Sequence, residues 1–314
     1  PTDDGRIKPD ISGDGTSVYS CVASTDNSYG SMTGTSMSAP NISGTLLLLQ
    51  EYYNQLNGFY MKAATLKALA CHTADDDNTV GPDPIFGWGL LNAKYAAETI
   101  LDDNNNLAQI HEGTLNSGET YTYQLFCGFG PLKATLCWTD PPGSVNNTLN
   151  SPSPALVNDL DLRVFGNDGT TYFPWKLDVN NPQSWATTGD NIVDTVEGIQ
   201  INAPQRGNYF ITVSNKGGLL DGLQNFSLVI TGSNLVLSDA TLDATAFVIW
   251  PNPAEDVINF QYPSASQKVT QVTLSDLQGR VVYKSNLSSI DGLLRGKIKT
   301  STFSKGFYIL NLRQ

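Results

Sequence analysis

Apolar residues recur at spacings of four and three in Ile42, Leu46, Leu49, Tyr53 and Leu56, which predicts a helix over about 39–56. Leu46 to Leu49 are all apolar, so this helix is expected to be buried on most sides. Two more helices are predicted over about 62–72 and 91–101, the last ended by the polar run Asp102 to Asn106. With short strands between them, these helices give residues 1–104 the pattern of a partial α/β domain. From about 108 the period changes. Strand-like runs cover 120–127, 132–138, 159–165, 196–201, 208–213 and 226–230. Turn signals such as Asn167-Asp168-Gly169, Arg206-Gly207-Asn208 and Lys216-Gly217-Gly218 separate them. Short alternating strands without helices predict a β-sandwich of jelly-roll type over 108–232. Residues 233–246 read as a linker. Residues 247–314 read as a small immunoglobulin-like β-sandwich: a strand bounded by Pro251 and Pro253, a strand with a turn at Gln278-Gly279, and a strand opened by Gly306.

Charge marks the same boundary. The last 68 residues carry 8 Lys+Arg against 4 Asp+Glu, and the preceding 246 carry 10 against 26. This change of sign separates a basic module from an acidic body. The net charge of −12 argues against a nucleic-acid or anionic-membrane partner. No run approaches the roughly 18 apolar residues that suggest a membrane span. Charged residues are only 15% of the chain, which suits a secreted, mostly β protein. Cys21, Cys71, Cys127 and Cys137 lack the C-x-x-C spacing of a metal site and are expected to be free buried thiols or at most one disulfide. Cys127 and Cys137 flank the turn at Gly128-Phe129-Gly130-Pro131, and simple hairpin pairing would place them several rungs apart.

Ser36 stands between a Gly/Ser/Asp-rich loop and the first helix. Two readings are open. As an N-cap, its hydroxyl would accept a bond from a first-turn N–H. As a nucleophile, it would attack a carbonyl whose oxyanion is met by the N–H groups and partial positive charge of the helix N-terminus. Pro40 is placed in the first helical turn, where its missing N–H costs little.

The stretch Gly34-Thr35-Ser36-Met37-Ser38-Ala39-Pro40 resembles the nucleophile motif of the subtilisin-like serine proteases, or subtilases, written G-T-S-M-[AS]-x-P. Lys8-Pro9-Asp10-Ile11 resembles their K-P-[DE]-[IV] strand. Leu66 to Thr73 and Gly87-Trp88-Gly89-Leu90-Leu91-Asn92 resemble their two closing segments. The resemblance implies a secreted endopeptidase acting on polypeptide substrates. Ser36 would be the nucleophile, and its own N–H one oxyanion donor. In this family the triad runs Asp, His, Ser along the chain. The only histidines, His72 and His111, follow the serine and lack the H-G-T-x-V-A-G context. The triad Asp and His and the oxyanion Asn are therefore expected upstream of Pro1. The chain is expected to be the C-terminal part of a longer protease and inactive alone.

Asp159 and Asp161 are two apart and share one face of a predicted strand, with Leu160 and Leu162 facing a core. Side-by-side carboxylates repel unless a cation or donors lie between them. Asp140 and Asp194 come from other segments that could converge there. A solvated strand end is the competing reading. Trp138-Thr139-Asp140, Leu156 to Leu162 and Ile201 to Tyr209 resemble the β-sandwich that follows the catalytic domain in a subgroup of bacterial alkaline subtilases. That resemblance supports a structural Ca²⁺ held by Asp140, Asp159, Asp161 and Asp194, an all-oxygen set suited to the ion. Asp75-Asp76-Asp77-Asn78 lacks the ligand spacing of a calcium loop and reads as a solvated connection.

Trp250-Pro251-Asn252-Pro253, Asp276-Leu277-Gln278-Gly279-Arg280 and Gly306-Phe307-Tyr308-Ile309-Leu310 resemble landmarks of the C-terminal sorting domain of type IX secretion cargo, with Trp250 in place of the usual Tyr. The implied partner is the type IX secretion machinery, and the implied destination is the cell surface or exterior of a bacterium. A further Lys-containing strand is expected beyond Gln314. A rival of another class is a secreted binding protein, whose sandwich docks carbohydrate on Tyr172, Phe173, Trp175 and Trp185.

Overall fold

The computed structural model describes residues 2–76, 80–127, 130–166, 169–232, 248–250, 257–263, 269–276, 280–288, 293–306 and 308–313. The expectations for Asp77-Asn78, Gly128-Phe129, Asn167-Asp168, the 233–246 linker, Pro251 to Pro253, Gln278-Gly279 and Phe307 lie outside these residues. The chain divides into two compact units, Pro1–Ser238 and Asp239–Gln314.

The first unit opens with an antiparallel hairpin, β1 (Val18–Cys21) and β2 (Tyr29–Met32). Three helices follow: α1 (Thr35–Asn57), α2 (Ala63–Thr73) and α3 (Ala93–Asn104). α1 begins four residues before the predicted start at 39, because the carbonyl of Gly34 accepts from Met37 N and Ser38 N and starts the first turn. It ends at Gly58 in the left-handed conformation, the usual helix stop. Pro40 consequently lies inside the helix, in its second turn. The expected burial on most sides is also corrected. Leu49 and Tyr53 are buried, whereas Leu47 and Leu48 remain 69% and 66% exposed. The buried residues of α1 share a core with α2 and α3.

Ten strands complete the unit: β3 (Gln109–Asn116), β4 (Tyr121–Cys127), β5 (Leu132–Trp138), β6 (Leu160–Phe165), β7 (Thr171–Tyr172), β8 (Trp175–Lys176), β9 (Thr187–Thr188), β10 (Val196–Ile201), β11 (Gly207–Asn215) and β12 (Leu223–Gly232). They form two antiparallel four-stranded sheets, in the orders β10-β5-β12-β3 and β4-β11-β6-β7, and a β8-β9 pair. Leu125, Leu136, Trp138, Leu162, Ile211 and Phe226 lie in the core between the two large sheets. α2 covers the outer face of the first sheet. Its Ala68, Leu69 and Cys71 share a core with Cys137, Val196 and Val229. β5 is therefore buried on both faces, which accounts for its nearly continuous apolar run. Cys127 and Cys137 belong to opposite sheets rather than to one hairpin, and all four cysteines are free.

In the second unit, β13 (Val248–Trp250), β14 (Val257–Pro263), β15 (Thr270–Asp276), β16 (Val281–Leu287), β17 (Leu293–Lys299) and β18 (Tyr308–Arg313) form the sheets β13-β14-β17 and β16-β15-β18. Both sheets contribute to one core of Phe260, Val272, Leu294 and Ile298.

Candidate active site

Ser36 is the second residue of α1 and is exposed. The N-cap is Gly34, and no side chain caps the helix. The Ser36 hydroxyl has no hydrogen-bond partner among the described residues. Of the first-turn donors, Met37 N and Ser38 N are spent on the Gly34 carbonyl, and the N–H groups of Thr35 and Ser36 have no backbone acceptor among the described residues. Pro40, four residues on, has no N–H to offer the Ser36 carbonyl.

The segment 13–15 fixes this turn from below. Gly34 N donates to Gly15 O at 2.9 Å, Ser38 Oγ to Gly13 O at 2.7 Å, and Asn41 Nδ2 to Asp14 O at 3.2 Å. On the other flank, Ser17 N donates to Thr33 Oγ1 at 2.9 Å. A cavity of about 830 Å³ opens beside Thr35, lined also by Ser12, Ser38, Ile42, Phe86 and Leu90.

The run Gly87 to Asn92 ties the distant segments together. Trp88 N donates to Asp10 O and Leu91 N to Ser12 O, while Leu90 exchanges both backbone bonds with Asp75. Asn92 caps α3 by accepting from Tyr95 N at 2.8 Å and donates to Asp75 Oδ1 at 2.9 Å. The motif is thus a brace on the segment that carries residues 13–15.

Neither histidine serves Ser36. His72 is fully buried at the end of α2, with Nδ1 2.9 Å from Thr135 Oγ1 and Nε2 2.8 Å from Thr231 Oγ1. Burial, with a lesser contribution from Lys133, holds it neutral well below the usual histidine range. His111 stacks on Tyr121 at 4.7 Å and lies against Phe226, and burial lowers its pKa as well.

The four aspartates do not converge. Asp140 accepts from Val157 N and Asn158 N at 2.7 and 2.9 Å. Asp194 accepts from Ile7 N and from Asn191 Nδ2, both at 3.0 Å, and burial pushes its pKa up to about 6. Asp159 and Asp161 do come together, with Asp190, around Lys216 and Arg163. The Lys216 ammonium lies among these three carboxylates, and no group of three or more His, Cys, Asp or Glu side chains that could hold a metal ion occurs among the described residues. These residues do not fit a divalent ion. Sequence reasoning missed Arg163, Asp190, Lys216 and Glu197. The last is fully buried in β10 and accepts from Leu162 N at 2.7 Å. Burial raises its pKa well above the usual carboxylate range.

The four aromatics of the binding-protein reading make no common platform. Tyr172 packs on the core between the sheets and Trp175 on the core under the helices. Phe173 lies under the Arg163 guanidinium at 4.8 Å, and Trp185 is exposed.

Comparison with known proteins accords with this geometry. Residues 1–89 match the Subtilase family, and residues 248–314 match the Secretion system C-terminal sorting domain. The chain is similar to the Serine protease/ABC transporter B family protein tagA of Dictyostelium discoideum, 27% identical over 272 residues that cover 74% of this chain and 15% of that protein. It is similar to tagB of the same organism, 25% identical over 308 residues covering 74% and 16%. A C5a peptidase of Streptococcus pyogenes is 32% identical over 122 residues, which cover 35% of this chain and 10% of the relative. The chain spans between a tenth and a sixth of the length of these relatives. No helix among the described residues is long and apolar enough to cross a membrane. The sorting domain indicates type IX secretion to the cell surface or the extracellular space. The chain thus carries a subtilase-family segment at its N-terminal end and a type IX secretion sorting domain at its C-terminal end.

Proposed function

We propose that this chain is the C-terminal part of a secreted subtilisin-type serine endopeptidase in which Ser36 is the nucleophile. One observation carries the reading: Ser36 stands exposed at a helix N-terminus with a hydroxyl that caps nothing. In the mechanism, Ser36 Oγ attacks a peptide carbonyl, and its proton passes to an imidazole base oriented by a carboxylate. The new bond is Oγ to carbonyl carbon, and the amine leaves with a proton from the imidazolium. Water then releases the acyl group by the same route in reverse. The Ser36 N–H and the helix N-terminus meet the developing oxyanion. His72 and His111 are engaged in the sandwich, so the base and its carboxylate come from residues preceding Pro1. The 314-residue chain by itself is inactive under this reading.

The test is Ser36→Ala in the longer protein that supplies those residues. Hydrolysis of a casein-type substrate is expected to fall by several orders of magnitude, as loss of a triad member does. Near-normal turnover by a folded Ser36→Ala protein would refute the assignment.

A further inference from the structure

We propose that the sandwich carries a built-in cation where a divalent ion would otherwise bind: the Lys216 ammonium fills a carboxylate cage of Asp159, Asp161 and Asp190, and a divalent, oxygen-liganded cation enters only when that ammonium is removed. The cage and its cation are drawn from three separate segments. Lys216 Nζ lies 3.3 Å from Asp159 Oδ2, 2.9 Å from Asp161 Oδ1 and 2.9 Å from Asp190 Oδ1. The backbone sets this meeting. β11 pairs with β6 so that Ser214 stands opposite Asp161, and Lys216 N continues the ladder to Asp159 O at 2.9 Å. Lys216 is therefore the direct cross-strand partner of Asp159, on the face that Asp161 and Arg163 share.

Arg163 completes the set. Its Nη2 lies 2.7 Å from Asp161 Oδ1 and also bonds Asp190 Oδ1. Three carboxylates against two cations leave one net negative charge, and without Lys216 there would be two, the charge that a divalent ion neutralises. Glu197 is left out of this count, since burial favours its protonated form. One buried oxygen of the cage, Asp159 Oδ1, has no hydrogen-bond partner among the described residues. Such an oxygen offers the lone pairs that a hard cation takes as ligands at about 2.3–2.6 Å. The ammonium sits at the meeting point of the three carboxylates, so an ion cannot reach them while Lys216 is present.

Melting of the chain is compared in millimolar calcium chloride and in chelator. The wild-type chain is expected to melt at the same temperature in both. Lys216→Met is expected to melt about 5 °C or more lower in chelator, since it leaves acids unpaired at a partly buried site. Calcium should restore most of that loss. Adding Asp161→Asn to Lys216→Met should abolish the calcium response. If Lys216→Met does not fold in chelator, its refolding yield with and without calcium is read instead. Two results would overturn the proposal. One is a calcium-dependent rise in wild-type melting that Asp161→Asn removes. The other is a Lys216→Met chain that calcium neither stabilises nor helps to refold.

Discussion

A Cβ placed on Gly87 would lie 1.7 Å from the carbonyl oxygen of Pro9. Gly87 also has φ +66°, a conformation that side chains other than glycine rarely adopt. The contact joins the closing segment to the Pro9 to Ser12 segment, which leads directly into the 13–15 loop beneath Ser36.

Gly87→Ala is therefore expected to destabilise the first unit by roughly 3 kcal/mol or more. Gly58→Ala is the control, because Gly58 has φ +80° with nothing within 4 Å of its added Cβ. That change should cost only about 1 kcal/mol. Melting temperatures of the two variants separate the steric contribution from the conformational one. Equal losses would mean that the approach to Pro9 is unimportant.

His72 links α2 to two strands of the sandwich through Thr135 and Thr231. His72→Ala removes both bonds and leaves a cavity, at an expected cost of about 2–4 kcal/mol. The pH dependence has a definite sign. The folded pKa lies below the unfolded one, so the unfolded chain binds the extra proton. The contribution of neutral His72 is full above about pH 6.5 and is lost as the pH falls below it. His72→Gln keeps hydrogen-bonding capacity without titrating. Between pH 7.5 and 5 the wild-type melting temperature should fall further than that of His72→Gln. Parallel curves would contradict this role.

Much of this architecture is written in local pattern. Ile42 to Leu56 repeats at four and three, and the helix is there. Val196 to Ile201 and Leu132 to Trp138 are strands with the bounds that their composition suggests. β3 was missed because His111, Glu112 and Gly113 interrupt its apolar alternation. Its strand state is imposed by pairing with β12. Asp159 and Asp161 were legible as an unsettled pair of charges. The residue that settles them was not. Lys216 lies 55 positions beyond Asp161 in a turn-like Lys-Gly-Gly run, and only the β11–β6 register brings it across. Asp140 and Asp194 bear acids of the right type, but each is occupied by nearby N–H groups, a detail that residue identity does not reveal. The motif around Ser36 was legible, yet the distinction between capping and nucleophilic serine was not. It depends on where α1 begins, and Gly34 rather than Ser36 takes the N-cap place.

The most direct measurement is covalent. A peptidyl phosphonate diester reacts fast only with a serine whose hydroxyl is activated by a base. The longer protein, with its upstream segment, is incubated with this reagent, digested and analysed by mass spectrometry. The 314-residue chain is treated in parallel. The phosphonyl group is expected on the peptide containing Ser36 in the longer protein, with negligible labelling of the chain alone. Labelling of a different serine, or hydrolysis of peptides by a protein in which Ser36 stays unmodified, would contradict the assignment of Ser36 as the nucleophile.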